Sequence, residues 1–188
     1  MNKNISTGLI ILVIIGTGVY FFMNKSVEDA EIIGQPQVQE SMFDAKNSTF
    51  TVENAPVTLV DGVSEVALAS IPDAKITTRY FGNEAKGDLN FDGRDDVAFL
   101  VTQDGGGSGT FYYVVVALKT DAGYATTNAF FVGDRIAPQT TEIQSQTGEL
   151  RVNFAQRKAD ESMTTQPSVG ATLFLNVTPP NTLEGLMK

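Results

Sequence analysis

The sequence predicts an all-β fold, an antiparallel sandwich or an open barrel, preceded by a single N-terminal transmembrane helix. Short apolar or alternating runs recur between Gly, Asp and Pro turns, and no long helical period follows residue 24. Two runs, Val97 to Val101 and Phe111 to Leu118, are apolar almost without interruption. Strands of this kind need cover on both faces, so we expect this pair at the centre of a sheet.

The chain divides into four predicted segments. Residues 1–24 form a signal-anchor helix, 25–47 a flexible acidic linker, 48–178 the β-domain and 179–188 a disordered tail. Pro179-Pro180 cannot continue a strand ladder, which places the predicted end of the domain there.

The anchor prediction depends on Ile5 to Met23, which is 19 residues without a charge. At ~1.5 Å per residue this helix spans ~28 Å, close to the hydrocarbon thickness of a bilayer. A cleaved secretory signal is one alternative, but the aromatic run Tyr20 to Phe22 ends the apolar stretch where a cleavage site would have small residues. A buried core helix is the weaker alternative. We therefore expect a single-pass cell-membrane protein, with the membrane as partner of the helix and the acidic domain on the extracytoplasmic side.

Composition excludes several kinds of chemistry. The chain contains no Cys and no His, which removes disulfides, thiol nucleophiles, Cys/His zinc sites and a His general base. A net charge of −9 repels phosphate backbones, so no nucleic-acid partner is expected. The glycines of the anchor do not form GxxxG, and we expect a monomer.

The remaining strands follow from turn signals. Asp61-Gly62 is a two-residue hairpin signal of the type I′ kind. The segments predicted as strands besides the central pair are Thr49 to Glu53, Val57 to Val60, Val63 to Leu68, Lys75 to Phe81, Tyr124 to Val132, Thr141 to Gln144, Glu149 to Phe154 and Thr172 to Val177. Thr147-Gly148 is expected to join two of them.

An acidic turn before the first central strand has the spacing of a calcium loop. It reads DLNFDGRDD and offers oxygen side chains at positions 1, 3, 5 and 9, with glycine at position 6. The predicted ligands are the side chains of Asp88, Asn90, Asp92 and Asp96 and the main-chain carbonyl of Arg94. An EF-hand would need Glu at position 12 and a helix after the loop, whereas Phe99 and a strand stand there.

The alternative is an Asx-rich turn that binds nothing. Four carboxylates fall within nine residues, and carboxylates held together raise one another's pKa unless a cation intervenes. The spacing therefore favours calcium, in a structural rather than a regulatory role.

The turn resembles the DxDxDGxxD calcium loops of FG-GAP and VCBS-type repeats, which lead directly into a hydrophobic strand. Phe91 departs from that pattern, because those repeats commonly have Gly there. More broadly, Thr58 to Gln139 resembles the extracytoplasmic β-domain of bacterial membrane-anchored proteins, in the strings RYFGNEAKGDLN, DGGGSGTFYYVVVAL and GDRIAPQ. The resemblance implies calcium binding, a membrane-anchored location and a β-fold, and it implies no activity.

No nucleophile motif is complete. Ser108 in the loop DGGGSG has no His to activate it, and that loop is followed by a strand rather than by the helix of a phosphate site. A carbohydrate-active hydrolase would need paired carboxylates, for which Asp134, Glu142 and Glu149 are the candidates.

The sequence thus favours a non-enzymatic role, in ligand binding or in envelope structure, with an unknown envelope or extracellular ligand. An adhesion or ligand-binding module is the third hypothesis, favoured if an exposed aromatic patch lies beside DGGGSG. The aromatic candidates for such a platform are Phe111, Tyr112, Tyr113, Phe130 and Phe131.

Overall fold

The computed structural model describes residues 42–68 and 73–186, which contain twelve strands and one short 3₁₀ helix. The elements are the 3₁₀ helix Ala45–Asn47 and the strands β1 Thr49–Val52, β2 Ala55–Thr58, β3 Val63–Ala67, β4 Lys75–Gly87, β5 Asp96–Asp104, β6 Phe111–Thr120, β7 Gly123–Thr126, β8 Phe130–Asp134, β9 Ala137–Gln144, β10 Glu149–Gln156, β11 Val169–Thr178 and β12 Thr182–Gly185. The predicted anchor and most of the predicted linker lie outside the described residues. Among the described residues, no helix has the length and apolar character needed to cross a bilayer.

Every pair of named strands is antiparallel, so the predicted all-β antiparallel fold is confirmed. The largest sheet has the order β3-β4-β5-β6-β7, and β8 pairs with β6 beyond the end of β7. A second sheet has the order β12-β11-β10-β9, and β1 and β2 form a separate ribbon.

The central pair β5–β6 is buried on both faces, as its apolar runs predict. Ala98, Leu100, Val114 and Val116 pack with the four-stranded sheet, in a cluster that also holds Leu150, Val152, Leu175 and Leu183. The residues that alternate with these along β5 and β6 point to the other face and pack with the β1–β2 ribbon. They belong to a second cluster, which holds Phe50, Val52, Val57, Phe99, Val101 and Val115. Because side chains alternate along a strand, one hairpin supplies the centre of both cores, and the layers stack as ribbon, sheet and sheet.

The predicted Asp61-Gly62 turn forms, but only one pair of residues, Val60 and Val63, is hydrogen-bonded across it. Asp61 and Gly62 have φ values of 51° and 85°, as a type I′ turn requires. Val60 and Val63 exchange two backbone hydrogen bonds of 3.0 and 3.1 Å across it. Beyond this bridge the strands separate, because β2 pairs with β1 and β3 pairs with β4.

The segment predicted as one strand from Tyr124 to Val132 is two strands, β7 and β8, which pair with different ends of β6. Asn128 lies in the break between them. Its side chain accepts a hydrogen bond from the Leu183 amide (2.8 Å) and donates one to the Leu183 carbonyl (3.3 Å). A polar side chain that bonds a neighbouring backbone in this way replaces ladder bonds at the break.

Both ends of the predicted β-domain need correction. The predicted tail contains β12, and Pro179-Pro180 forms the turn that joins β11 to it. Leu183 is buried in the cluster shared by the two large sheets, here called the main core, so this last hairpin has the apolar contacts that a frayed tail would lack. At the other end, the predicted linker ends in the 3₁₀ helix, which Asp44 caps by accepting from the Lys46 amide at 3.0 Å.

The acidic loop connects the two large sheets. The Asp88 amide donates to Ser145 Oγ (3.0 Å) in the turn between β9 and β10, and Leu89 is buried in the main core. The predicted Thr147-Gly148 turn lies here, and Gly148 has φ +62°. A Cβ on Gly148 would lie 2.8 Å from the Phe91 ring and 2.9 Å from the Leu89 carbonyl oxygen.

We expect Gly148→Ala to lower the free energy of unfolding by about 2 kcal/mol or more, because the new Cβ adds left-handed strain and overlaps backbone. Gly170→Ala is the matched control, since a Cβ there meets nothing within 4 Å. Urea denaturation of both variants measures the difference, and equal midpoints would contradict the close packing of the loop on this turn.

Candidate functional site

The acidic loop is organised around Asp88, whose carboxylate accepts backbone donors from the turn it starts. Oδ1 accepts from the amides of Phe91 (2.7 Å) and Asp92 (3.3 Å), and Oδ2 accepts from the Gly93 amide (2.8 Å). An Asp that bonds the backbone a few residues ahead fixes a tight turn without any strand ladder.

Asn90 and Asp92 continue the same network. Asn90 Oδ1 accepts from the Asp92 amide (3.1 Å), and Asn90 Nδ2 lies 3.3 Å from Asp92 Oδ2. Asp92 Oδ1 accepts from the Arg94 amide (3.0 Å). The guanidinium of Arg94 pairs with Asp121 at 2.6 Å. A guanidinium has no acceptor atom, so the only ligand atom that Arg94 offers a cation is its main-chain carbonyl oxygen.

Phe91 adopts a left-handed backbone, with φ 63°. Glycine is favoured at such a position because a Cβ is strained there. Phe91 therefore keeps the left-handed backbone that favours Gly, although its side chain departs from the repeat pattern. Phe91 is 65% exposed, and the edge of its ring lies where a Cβ on Gly148 would be.

Asp96 lies at the base of the loop and is completely buried. Its Oδ2 accepts from the Leu89 amide (3.0 Å) and its Oδ1 from the Lys119 amide (2.9 Å), which joins the loop to the end of β6. Burial raises the pKa of Asp96 above its ordinary value, with the charges of Asp92 and Asp88 adding to the rise and the two amide bonds opposing it.

The five predicted metal ligands are therefore only partly gathered. The side chains of Asp88, Asn90 and Asp92 share one turn, and their donors are the hard oxygens that calcium prefers. Each oxygen of Asp96 accepts a hydrogen bond from a backbone amide. Among the described residues, no group of three or more acidic side chains is close enough to hold a metal. The donor chemistry thus fits calcium, while the ligand set in this conformation is incomplete.

A groove lies at the opposite end of the β5–β6 pair. Its volume is about 440 Å³, and its lining residues are Glu53, Ile76, Gln103, Gly105, Phe111, Tyr113 and Phe131. Phe111 is 38% exposed and Phe131 is 48% exposed, although both lie on strands that pair with each other. Their ring centroids are 6.4 Å apart, and the Phe131 ring meets the buried Tyr113 ring edge-on at 5.5 Å.

Glu53 places a carboxylate in this groove. It occupies the turn between β1 and β2 with φ 49°, and its Oε1 accepts from the Tyr113 hydroxyl at 3.1 Å. Burial raises the pKa of Tyr113 to about 12, with the hydrogen bond and the charge of Glu53 adding to the rise. Tyr113 therefore remains protonated and holds the carboxylate beside the aromatic rings.

The glycine-rich loop borders the groove. Asp104 Oδ1 accepts from the Gly106 amide at 2.7 Å, and Gly105 belongs to the lining. At the end of the loop, the Thr110 amide donates to Asp134 Oδ1 at 3.0 Å. The exposed aromatic patch thus lies directly beside DGGGSG, which is the arrangement that favours a binding module.

The candidate hydrolase carboxylates have other partners. Asp134 pairs with Arg135 at 2.6 Å, which holds the pKa of that carboxyl below its ordinary value. Glu149 is buried and pairs with Arg151 at 2.5 Å, and Glu142 is exposed. None of the three lines the aromatic groove, and none lines a second groove, of about 560 Å³, that lies between the β1–β2 ribbon and the segments 126–128 and 181–182. The structure therefore gives no observation in favour of a carboxylate pair.

The two ends of the β5–β6 pair are well separated. Asp96 begins β5 and Gln103 lies near its end, seven residues further, which corresponds to about 23 Å along the strand.

Sequence reasoning identified the aromatic residues of the groove but missed Glu53, Ile76 and Gln103. Glu53 is followed by Asn54 in a turn that brings β1 and β2 together, and the proximity of this turn to β6 carries no local sequence signal.

Comparisons of the chain with protein-family models, curated proteins and solved structures found no match. The resemblance to FG-GAP and VCBS-type loops therefore stays a prediction from the residues.

We expect Asp96→Asn to lower the free energy of unfolding by about 1–3 kcal/mol, because an Asn side chain offers one acceptor oxygen to two buried amides. Asp95→Asn, at an exposed neighbour, is the matched control.

The folded-state pKa of Asp96 is raised, so the stability that this group contributes is fully present below its unfolded pKa. That contribution is lost as pH rises through its folded pKa. Urea denaturation without divalent cations should show the advantage of the wild type over Asp96→Asn shrinking from pH 4 to pH 7. A constant difference would contradict the raised pKa.

Proposed function

We propose that this chain is a non-enzymatic ligand-binding module whose binding face is the aromatic groove beside the glycine-rich loop. The observation that carries the proposal is the pair Phe111 and Phe131, two substantially exposed phenylalanine rings that face a groove containing a carboxylate. Concave sites with aromatic walls and few polar groups are typical of ligand pockets.

Ordinary core packing does not account for these two rings. Tyr113, on the same strand as Phe111, is buried in the second core, and the ribbon covers its cluster. Phe111 and Phe131 lie beyond that cover, and each leaves more than a third of its surface in water. Exposed apolar groups that line a concavity favour a ligand, because burying them is a source of binding free energy.

The proposed location is the extracytoplasmic face of the cell membrane, with residues 5–23 as the tether. Support comes from the uncharged run itself, which is long enough to span a bilayer as a helix. The proposed ligand of the groove is a component of the envelope or of the exterior.

Calcium at the acidic loop is the second part of the proposal. Support comes from the oxygens of Asp88, Asn90 and Asp92 in one turn and from the effect of their charges on Asp96. A divalent cation there offsets the repulsion between carboxylates and stabilises the junction of the two large sheets. Asp88, Asn90, Asp92, Asp96 and the carbonyl of Arg94 would hold it.

The groove predicts binding that depends on Phe131. We expect NMR titration of the full chain in detergent micelles, with acetylated tripeptide amides and neutral oligosaccharides as probes, to shift the amide signals of Gly105, Phe111 and Phe131. Phe131→Ala should weaken the binding of an active probe by about 10-fold or more, since it removes a ring from the groove.

Phe81→Ala is the matched control for this experiment, because Phe81 is 44% exposed and lies outside the groove lining. Its probe affinity should stay within about twofold of the wild type. If no probe of either class shifts the groove signals, the binding function is wrong.

The calcium proposal predicts a metal-dependent melting temperature. At 100-fold excess over the dissociation constant, calcium should add ~2.7 kcal/mol to the free energy of unfolding of the full chain. Asp92→Ala should remove this increment, whereas Asp95→Ala removes the same charge from outside the predicted ligand set and should retain it. Differential scanning calorimetry with calcium or with chelator measures the change, and identical wild-type curves would exclude a stabilising cation.

A further inference from the structure

We infer that the ligand of the aromatic groove is a basic peptide segment, recognised through an arginine side chain that stacks on Phe111 and Phe131 and pairs with Glu53. The inference rests on the proposed binding function and specifies the ligand class of the same groove. It follows from the charge, the ring geometry and the size of the groove.

The charge of the groove is negative. Glu53 is the single ionisable carboxylate of the described lining, and no Lys or Arg belongs to that lining. A carboxylate accepts at about four lone-pair sites, so the bond from Tyr113 leaves acceptor capacity for a ligand. The whole chain carries a net charge of −9, which attracts a cationic partner and repels an anionic one.

The rings add attraction for a cation. Aromatic faces carry negative potential, and a guanidinium within ~6 Å of a ring is stabilised by it. In the described part of the chain, Lys46, Lys119 and Arg151 occupy the faces of Tyr80, Tyr124 and Phe174, none of which lines the groove. These three cation–ring contacts therefore leave the rings of the groove available to a cation from a ligand.

The size of the groove favours a peptide over a small ammonium ion. About 440 Å³ is several times the volume of one cationic head group, and it accommodates a long side chain with part of its backbone. Arginine suits the lining better than lysine, because its planar fork pairs with a carboxylate and its flat face stacks on a ring. The apolar stem of the side chain would pack along Phe131.

The test compares acetyl-Gly-Arg-Gly amide with the same peptide carrying citrulline, in which a neutral urea of nearly the same shape replaces the guanidinium. Isothermal titration of the full chain in detergent micelles should show the arginine peptide binding about 10-fold or more tightly than the citrulline peptide. NMR titration should place the arginine peptide at Gly105, Phe111 and Phe131.

Glu53→Gln should abolish the preference for arginine while retaining the acceptor oxygen for Tyr113. Glu142→Gln is the matched control, because it makes the same change in net charge at an exposed site outside the groove lining. The control should keep the wild-type preference. Thermal unfolding of both variants establishes that they are folded.

The outcomes separate this inference from the function on which it rests. If citrulline and arginine peptides bind the groove equally, or if a neutral oligosaccharide binds it and the arginine peptide does not, the basic-peptide inference is overturned and the binding module stands. If Glu142→Gln and Glu53→Gln reduce the preference equally, the attraction is general and the inference also falls. If no probe of any class reaches the groove, both proposals are wrong.

Discussion

The fold depends on the burial of one hairpin, β5–β6, on both of its faces. Ala98 and Leu100 face one core while Phe99 and Val101 face the other, and all four are without exposed surface. A strand pair without a polar face cannot border water, so the chain must supply cover on each side. The four-stranded sheet covers one face and the β1–β2 ribbon the other. The acidic loop lies at one end of this hairpin and the groove lies at the other.

Much of the fold could be predicted because its strongest signals are local. Continuous apolar runs identified β5 and β6, alternation identified β1, and Asp61-Gly62 marked a turn that forms with the expected backbone. The errors come from tertiary contacts. The break at Asn128 and the strand β12 depend on bonds between these two segments, which are more than fifty residues apart in sequence.

The candidate site was predictable in its chemistry but not in its geometry. The spacing of Asp88, Asn90 and Asp92 indicated a turn rich in oxygen ligands, and the structure places those three residues in one network. The role of Asp96 depends on the Lys119 amide, which the fold delivers from the far strand of the hairpin. The groove likewise needs Glu53 to approach Tyr113 across sixty residues of chain. Residue types were visible in the sequence, whereas such long-range proximities were not.

The length of β5 has a consequence for how this protein can change. Free-energy effects of substitutions more than about 10 Å apart are usually additive, and Asp96 and Gln103 are separated by about twice that span along the strand. The aromatic groove and the acidic loop therefore lie at opposite ends of one strand pair. Substitutions around the groove are expected to leave the contacts of the acidic loop with the second sheet unchanged, and substitutions in the loop are expected to leave the groove unchanged.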